Sequence, residues 1–243
     1  MASHPPGECC VSSTLHEGKP IGVHKELLGL KTYTVGESEQ ILIILTDIHG
    51  NELNNVLLIA DEFSKAGFKV LIPDILKGDP IKDGDDLQIW LKSHTPEITN
   101  PIVEGFVSKV KNELKPKFLA GVGFCFGAKY AIINASSKSP LFDVISIMHP
   151  SFVTIEEVAD LNVPITIQAA ETDPIFTTEL RHKSEVKLVE IKARYQIDLF
   201  SHVSHGFVVR GSPDDLIVKY SKERAIANTI AFFKNVDLIN SRL

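Results

Sequence analysis

The chain has 243 residues, of which 44% are hydrophobic and 23% charged, which excludes extended disorder and low-complexity architectures and leaves room for a single α/β domain over 1–243. A formal charge of -6 repels phosphate backbones, and no basic patch stands out in the sequence, so nucleic acid is not expected as a partner. Three cysteines, the adjacent Cys9 and Cys10 and the distant Cys125, make neither a disulfide framework nor a zinc knuckle and suit a reducing compartment.

Residues 1–25 read as a polar N-terminal arm without the basic and apolar blocks of a secretory signal. No apolar run approaches the roughly 20 residues that span a bilayer, so no membrane association is expected. These features predict a soluble cytoplasmic protein. An alternative address is the terminal Ser241-Arg242-Leu243, a conservative variant of the peroxisomal tripeptide, against which stands a frayed helix end that happens to spell it.

Glu26 to Val35 predicts an early strand or two. Continuous apolar runs follow at Ile41 to Leu45, Phe68 to Ile72, Phe118 to Val122, Val144 to Met148 and Ile165 to Ala170. Such runs suit strands buried on both faces, and the stretches between them are long enough for helices, so the chain predicts an open, mostly parallel sheet with helices on both faces. Glu52 to Lys65 carries apolar residues at helical spacing before Gly67, and Pro101 to Leu114 does so before Pro116. A final helix is expected over Asp214 to Asn235, opened by Pro213. The polar stretch Leu76 to Thr99 reads as a long surface loop with a short helix around Asp85 to Lys92.

The sharpest local feature is Gly121 to Gly127, GVGFCFG, which follows a strand and opens a helix. It contains Gly-x-Cys-x-Gly, the cysteine form of the nucleophile elbow, in which flanking glycines let a strained turn pass close to neighbouring backbone. A thiol at that turn faces the positive end of the new helix, which favours thiolate, yet an ordinary thiol still requires a base. A buried, inert cysteine is the plain alternative. A second rival is a nucleotide loop, since Gly121, Gly123 and Gly127 nearly spell the dinucleotide fingerprint and Asp143 lies at the right distance. However, Asp143 precedes the next strand, whereas the fingerprint acid belongs at that strand's carboxyl end.

Two partners follow Cys125 in order. Asp173 lies just beyond the strand ITIQAA, and His205 lies beyond a strand expected at Tyr195 to Phe200. The spacings, 48 and 32 residues, leave room for a strand and a helix between members, so all three can meet at the carboxyl edge of the sheet. Nucleophile, acid and histidine in that order is the α/β-hydrolase arrangement.

With GFCFGA, ETDP and SHGF, together with DIHG at Asp47 to Gly50, nearly the whole chain resembles the dienelactone hydrolase family, in particular its fungal and other eukaryotic members. The resemblance implies a single α/β-hydrolase domain, a hydrolase acting on small lactones or esters of the carboxymethylenebutenolide type, and no cofactor. It implies Cys125 as nucleophile, Asp173 as acid and His205 as base, with the backbone N–H groups of Ile48 and Phe126 as oxyanion hole, each worth about 3 kcal/mol. Asp47 matches a glutamate of the bacterial pattern that takes part in switching thiol to thiolate, but here the acid is one carbon shorter. Arg210 lies five residues after His205, one further than the bacterial arginine that holds the substrate carboxylate. A second bacterial arginine has no match, and Lys77 is the nearest cation.

Trp90 reads as a pocket wall or a loop anchor, and His149, like His49, follows a strand and is placed as a pocket-lining, substrate-binding residue. His202 and His205 lack a third ligand at sensible spacing, so no metal is expected. Cys9 and Cys10, a vicinal pair that does not readily bridge, are placed in the adherent arm. The expected partner is a small-molecule lactone or ester, with the chain as a monomer or weak homodimer. The rival to an enzyme is a non-enzymatic small-molecule binder on the same fold.

Overall fold

The computed structural model describes residues 1–136 and 139–242. Eight strands run in chain order as β1 (Val23–Leu27), β2 (Leu30–Val35), β3 (Gln40–Leu45), β4 (Lys69–Pro73), β5 (Phe118–Phe124), β6 (Val144–Met148), β7 (Ile165–Thr172) and β8 (Tyr195–Ser204). They form a single α/β domain around one sheet ordered β1-β2-β4-β3-β5-β6-β7-β8. β1 and β2 make an antiparallel hairpin, β2 runs antiparallel to β4, and every pairing from β4 to β8 is parallel. The hairpin turns through Leu28 and Gly29, both at positive φ, the geometry that matches the twist of the flanking strands.

The expected doubly covered sheet is what forms. Ile41, Ile43 and Leu45 point into a core layer closed by α3 (Pro96–Lys109), α4 (Phe126–Ala135), α5 (Ile155–Ala159) and α6 (Thr178–Glu190). Leu42 and Ile44, one residue out of phase, point into the opposite layer with α1 (Asn54–Lys65) and α8 (Leu216–Asn240). Alternating side chains of one run thus fill two cores, which is why the run shows no polar face.

Boundaries differ from expectation where capping decides them. Glu52 belongs to a 3-10 turn, Gly50–Glu52, and α1 begins only after extended Leu53. In the polar loop, α2 (Leu87–Ser93) starts at Asp86, whose carboxylate accepts from the N–H groups of Gln88 and Ile89. Pro101 does not open the third helix. Pro96 does, after Thr95, and Pro101 sits inside. The final helix begins two residues later than expected, capped by Asp215, and extends to Asn240. Ser241 and Arg242 form a turn after it, while Leu243, the last residue of the terminal tripeptide, lies outside the described residues. Among the described residues no helix is long and apolar enough to cross a membrane.

The N-terminal arm is built into the domain. Ala2 and Ser3 donate backbone N–H bonds to Val153 O, His4 donates to Ile175 O, and Phe152 donates back to His4 O. Ala2, Ser3 and Cys10 are buried, so the arm covers the loops that follow β6 and β7.

Candidate active site

β5 ends at Phe124, α4 begins at Phe126, and Cys125 is the single residue between them. Its backbone is strained, at φ 46 and ψ -106, and is pinned from both sides. Its N–H donates to Met148 O at 3.0 Å on the neighbouring strand, and its carbonyl accepts from Ser151 N–H at 3.1 Å. The flanking glycines are needed for chain contact: a Cβ on Gly127 would lie 2.0 Å from Leu45 O, and one on Gly123 would lie 2.6 Å from Ala128 Cα. Sequence glycines that suggested a phosphate loop therefore serve backbone packing at an elbow. Asp143 is likewise accounted for, because its carboxylate accepts the Leu119 N–H at 2.7 Å at the opposite end of the sheet.

Asp173 follows β7 directly. Its Oδ1 accepts from the N–H groups of Ile175 and Phe176, both at 2.8 Å, which closes a turn and fixes the carboxylate. Its Oδ2 lies 2.8 Å from His205 Nδ1. His205 follows β8, held by its own N–H to Thr172 O at 3.1 Å, and its Nε2 lies 3.2 Å from Cys125 Sγ. The neighbouring carboxylate fixes the tautomer, with Nδ1–H donating to Asp173 and Nε2 turned to sulfur.

All three side chains are buried, and the electrostatics of the site follow from that. Burial alone favours the neutral thiol, but hydrogen bonding from Cys10 and the charge and hydrogen bond of His205 outweigh it, so the Cys125 thiol is held well below its usual range. Burial also opposes protonation of His205, yet the Cys125 thiolate and the Asp173 carboxylate hold that imidazole up to about 9. The charged forms of sulfur and imidazole therefore favour each other.

A model of the dienelactone hydrolase family matches residues 30–237. The chain belongs to the dienelactone hydrolase family. It is a hydrolase acting on ester or lactone bonds, which sets aside the non-enzymatic binder. Hydrolase tropI of Talaromyces stipitatus is 35% identical over 96% of this chain and 97% of its own length. Hydrolase pyvD of Aspergillus violaceofuscus is 33% identical over 96% of this chain and 98% of its own length. The fold is similar to the crystal structure of a putative dienelactone hydrolase from Klebsiella pneumoniae, with a TM-score of 0.67 and 16% identity over 82% of this chain and 91% of that one.

Around the Cys–His–Asp cluster of this dienelactone hydrolase family member stand residues that sequence reasoning placed with varying success. Arg210, at the end of the short α7 (Phe207–Arg210), is buried, where a solvated side chain is the ordinary expectation. Its Nη1 donates to Asp47 Oδ2, and Asp47 Oδ1 accepts the His49 N–H at 3.0 Å. Asp47 therefore engages Arg210 and not the sulfur. Gly206 makes room for this arginine: at φ 86, a Cβ there would meet Arg210 Nη2 at 2.2 Å. Arg210 Nε and Nη2 have no hydrogen-bond partner among the described residues.

His149 is fully buried, at φ 39, with its ring 5.1 Å from that of His205, and its side chain interacts with the Cys125 sulfur. Burial pushes it down to about 4, so it stays neutral. Phe126 is the first residue of α4, so its N–H is among the donors that a helix leaves unpaired. Ile48 is buried in the loop after β3. Trp90 both anchors and walls, since its Nε1–H donates to Asp79 O at 2.8 Å while its ring meets Phe126 edge-on at 5.5 Å. Lys77 is exposed on that loop beside a shallow cavity shared with His94 and Ile98, and is not brought to the cysteine.

Two further neighbours of the sulfur carry no clear mark in the sequence. Ser151 Oγ lies 3.6 Å from Cys125 Sγ, and Cys10 Sγ lies 3.4 Å from it. Cys10, Cys125 and His205 offer three donor atoms within 4.8 Å of one another, a set of soft ligands that the HxxH spacing does not reveal; His202 is exposed.

Proposed function

We propose that Cys125, His205 and Asp173 act as nucleophile, base and orienting acid in the hydrolysis of small carboxylated lactones or esters of the dienelactone type. The observation that carries this reading is the continuous line from Asp173 Oδ2 to His205 to Cys125 Sγ, at 2.8 and 3.2 Å, on a strained elbow. The thiolate attacks the carbonyl carbon, and the developing alkoxide is met by the N–H groups of Ile48 and Phe126. Collapse breaks the ester bond, His205 delivers its proton to the leaving oxygen, and a thioester remains on Cys125. Water deprotonated by His205 then releases the acid and restores the ion pair.

The unpaired Nε and Nη2 of Arg210 supply the argument for a carboxylated substrate, because a planar guanidinium fork matches a carboxylate. Asp47 holds that arginine until the substrate carboxylate competes for it, and so influences the thiolate through Arg210. Neutral His149, with its ring 5.1 Å from that of His205, is the further hydrogen-bonding partner for substrate in this reading. Lys77 has no part in this reading. The chain works as a monomer or weak homodimer in the cytoplasm, or in peroxisomes if its last three residues are read there. A fluorescent reporter fused to those residues decides between the compartments, diffuse fluorescence removing the second.

Acid quenching during turnover of a slow activated ester, followed by peptide mass analysis, tests the chemistry. An acyl group on the peptide containing Cys125 is expected. An acyl group on the peptide with Ser151 in place of Cys125 would overturn the assignment.

A further inference from the structure

The N-terminal arm delivers a second thiol to the sulfur of the elbow. Cys10 and Cys125 are separated by 115 residues, both are fully buried, and their sulfurs stand 3.4 Å apart. The arm is held over the site by the backbone bonds of residues 2–4 and by His49, whose Nε2 lies 3.0 Å from Cys10 O. A disulfide holds its sulfurs at about 2.05 Å, so the two thiols, already in contact, need to close the remaining gap for a bond to form.

We propose that Cys10 and Cys125 form a reversible disulfide when the protein meets hydrogen peroxide, closing the arm covalently over the site. The consequence for hydrolysis rests on the reading of Cys125 as nucleophile; the bond itself does not.

Peroxide enters when the arm lifts, as substrate must. The Cys125 thiolate attacks one peroxide oxygen, so that an S–O bond forms and the O–O bond breaks. The departing hydroxide takes the proton of the His205 imidazolium and leaves as water. When the arm returns, the Cys10 sulfur attacks the sulfenic sulfur. An S–S bond forms, the S–O bond breaks, and the hydroxyl leaves with the Cys10 proton as a second water. The two sulfurs together lose two electrons and the peroxide gains them. The two thiols suit these separate roles. Cys125, lowered against burial by Cys10 and His205, is the peroxide-reactive thiol. Hydrogen bonds with Cys125 and Cys9, together with burial, push Cys10 up, so it attacks second, once His205, neutral after the first step and within 4.8 Å, relays its proton to the departing hydroxyl. Cys9, only partly buried, is lowered to about 7 chiefly by its hydrogen bond with Cys10, which makes it the competitor that the test must separate.

The test exposes the full chain to stoichiometric hydrogen peroxide with a chelator present, blocks free thiols under denaturing conditions, and maps peptides by mass. A peptide pair joining residues 10 and 125 is expected, with loss of esterase activity, and a dithiol reductant should reverse both. Cys9→Ser should still form that link. Cys10→Ser should lose it and carry Cys125 to sulfinic or sulfonic acid, which the reductant does not reverse. Finding Cys125 overoxidised in the unmutated chain, or only Cys9 joined to Cys10, overturns the proposal. If the 10–125 link forms but Cys125→Ala still hydrolyses ester, the nucleophile reading fails and the disulfide stands. If that variant is inactive and no link forms, the reverse holds.

Discussion

Two buried charge pairs share the carboxyl edge of the sheet, and they are finished differently. In His205–Asp173 both ring nitrogens and both carboxylate oxygens are engaged, by each other, by Cys125 and by the turn after β7. In Arg210–Asp47 the carboxylate is fully engaged, but two guanidinium nitrogens are left without a partner among the described residues. An unmade hydrogen bond in a buried site costs about 1–3 kcal/mol, more for a charged group, whereas a completed network rigidifies. The first pair is therefore built to hold one geometry, and the second to receive something. In the proposed reading, the same contrast separates the proton-moving pair from the substrate-recognising one.

Breaking the finished pair should have the larger effect. Asp173→Asn is expected to lower kcat by about 10³- to 10⁴-fold, because the amide favours the wrong imidazole tautomer while packing is kept. Steady-state kinetics alongside unchanged circular dichroism checks this, and a loss below about tenfold would mean that Asp173 does not orient His205. Arg210→Lys keeps a cation beside Asp47 but removes the fork. Its KM for a carboxylated ester should rise about 10- to 100-fold, by the usual worth of one or two charge-assisted hydrogen bonds, with a neutral ester of similar size little affected. Equal losses on both esters would deny Arg210 a role in recognition.

The pH dependence gives a finer test. His205 is raised to about 9 and Cys125 is lowered, so thiolate and imidazolium coexist above the Cys125 value and below about 9. kcat/KM should accordingly fall as pH rises through about 9. For stability the two partners act with opposite signs, the lowered Cys125 contributing above the ordinary thiol value and His205 below about 9, so the test concerns the His205 part, which Asp173→Asn reduces. A histidine with a raised folded value contributes fully below its ordinary value of about 6.5, and that contribution is lost as pH rises through about 9. Urea midpoints at neutral and strongly alkaline pH check this, and in Asp173→Asn the difference between them should shrink.

Much of this arrangement is legible in the sequence because local rules dictate it. Five apolar runs announce strands covered on both faces, and GVGFCFG announces a turn where only small flanking residues fit. The order of Cys125, Asp173 and His205 follows because each comes directly after a parallel strand, and parallel strands present their ends together. What stays hidden depends on long-range packing. Nothing around Cys10 signals that a polar arm will lay it on a sulfur 115 residues away. The burial of Arg210 needs Gly206 and Asp47 together, and only the shorter acid at Asp47 hints that this corner differs. α6 escapes periodicity analysis because Leu180, Ser184 and Leu188 form a thin buried stripe while Val186 and Val189 face solvent. Ser151 had a weak local signal, following β6 in the segment HPS, but a serine after a strand is ordinarily read as a turn.

The central claim is that the sulfur of residue 125 carries out the attack. Cys125→Ala removes it and little else, so turnover of a small activated ester should fall at least about 10⁴-fold, as happens when a nucleophile is deleted, with the thermal transition retained. Turnover at an undiminished rate in that variant would contradict the account.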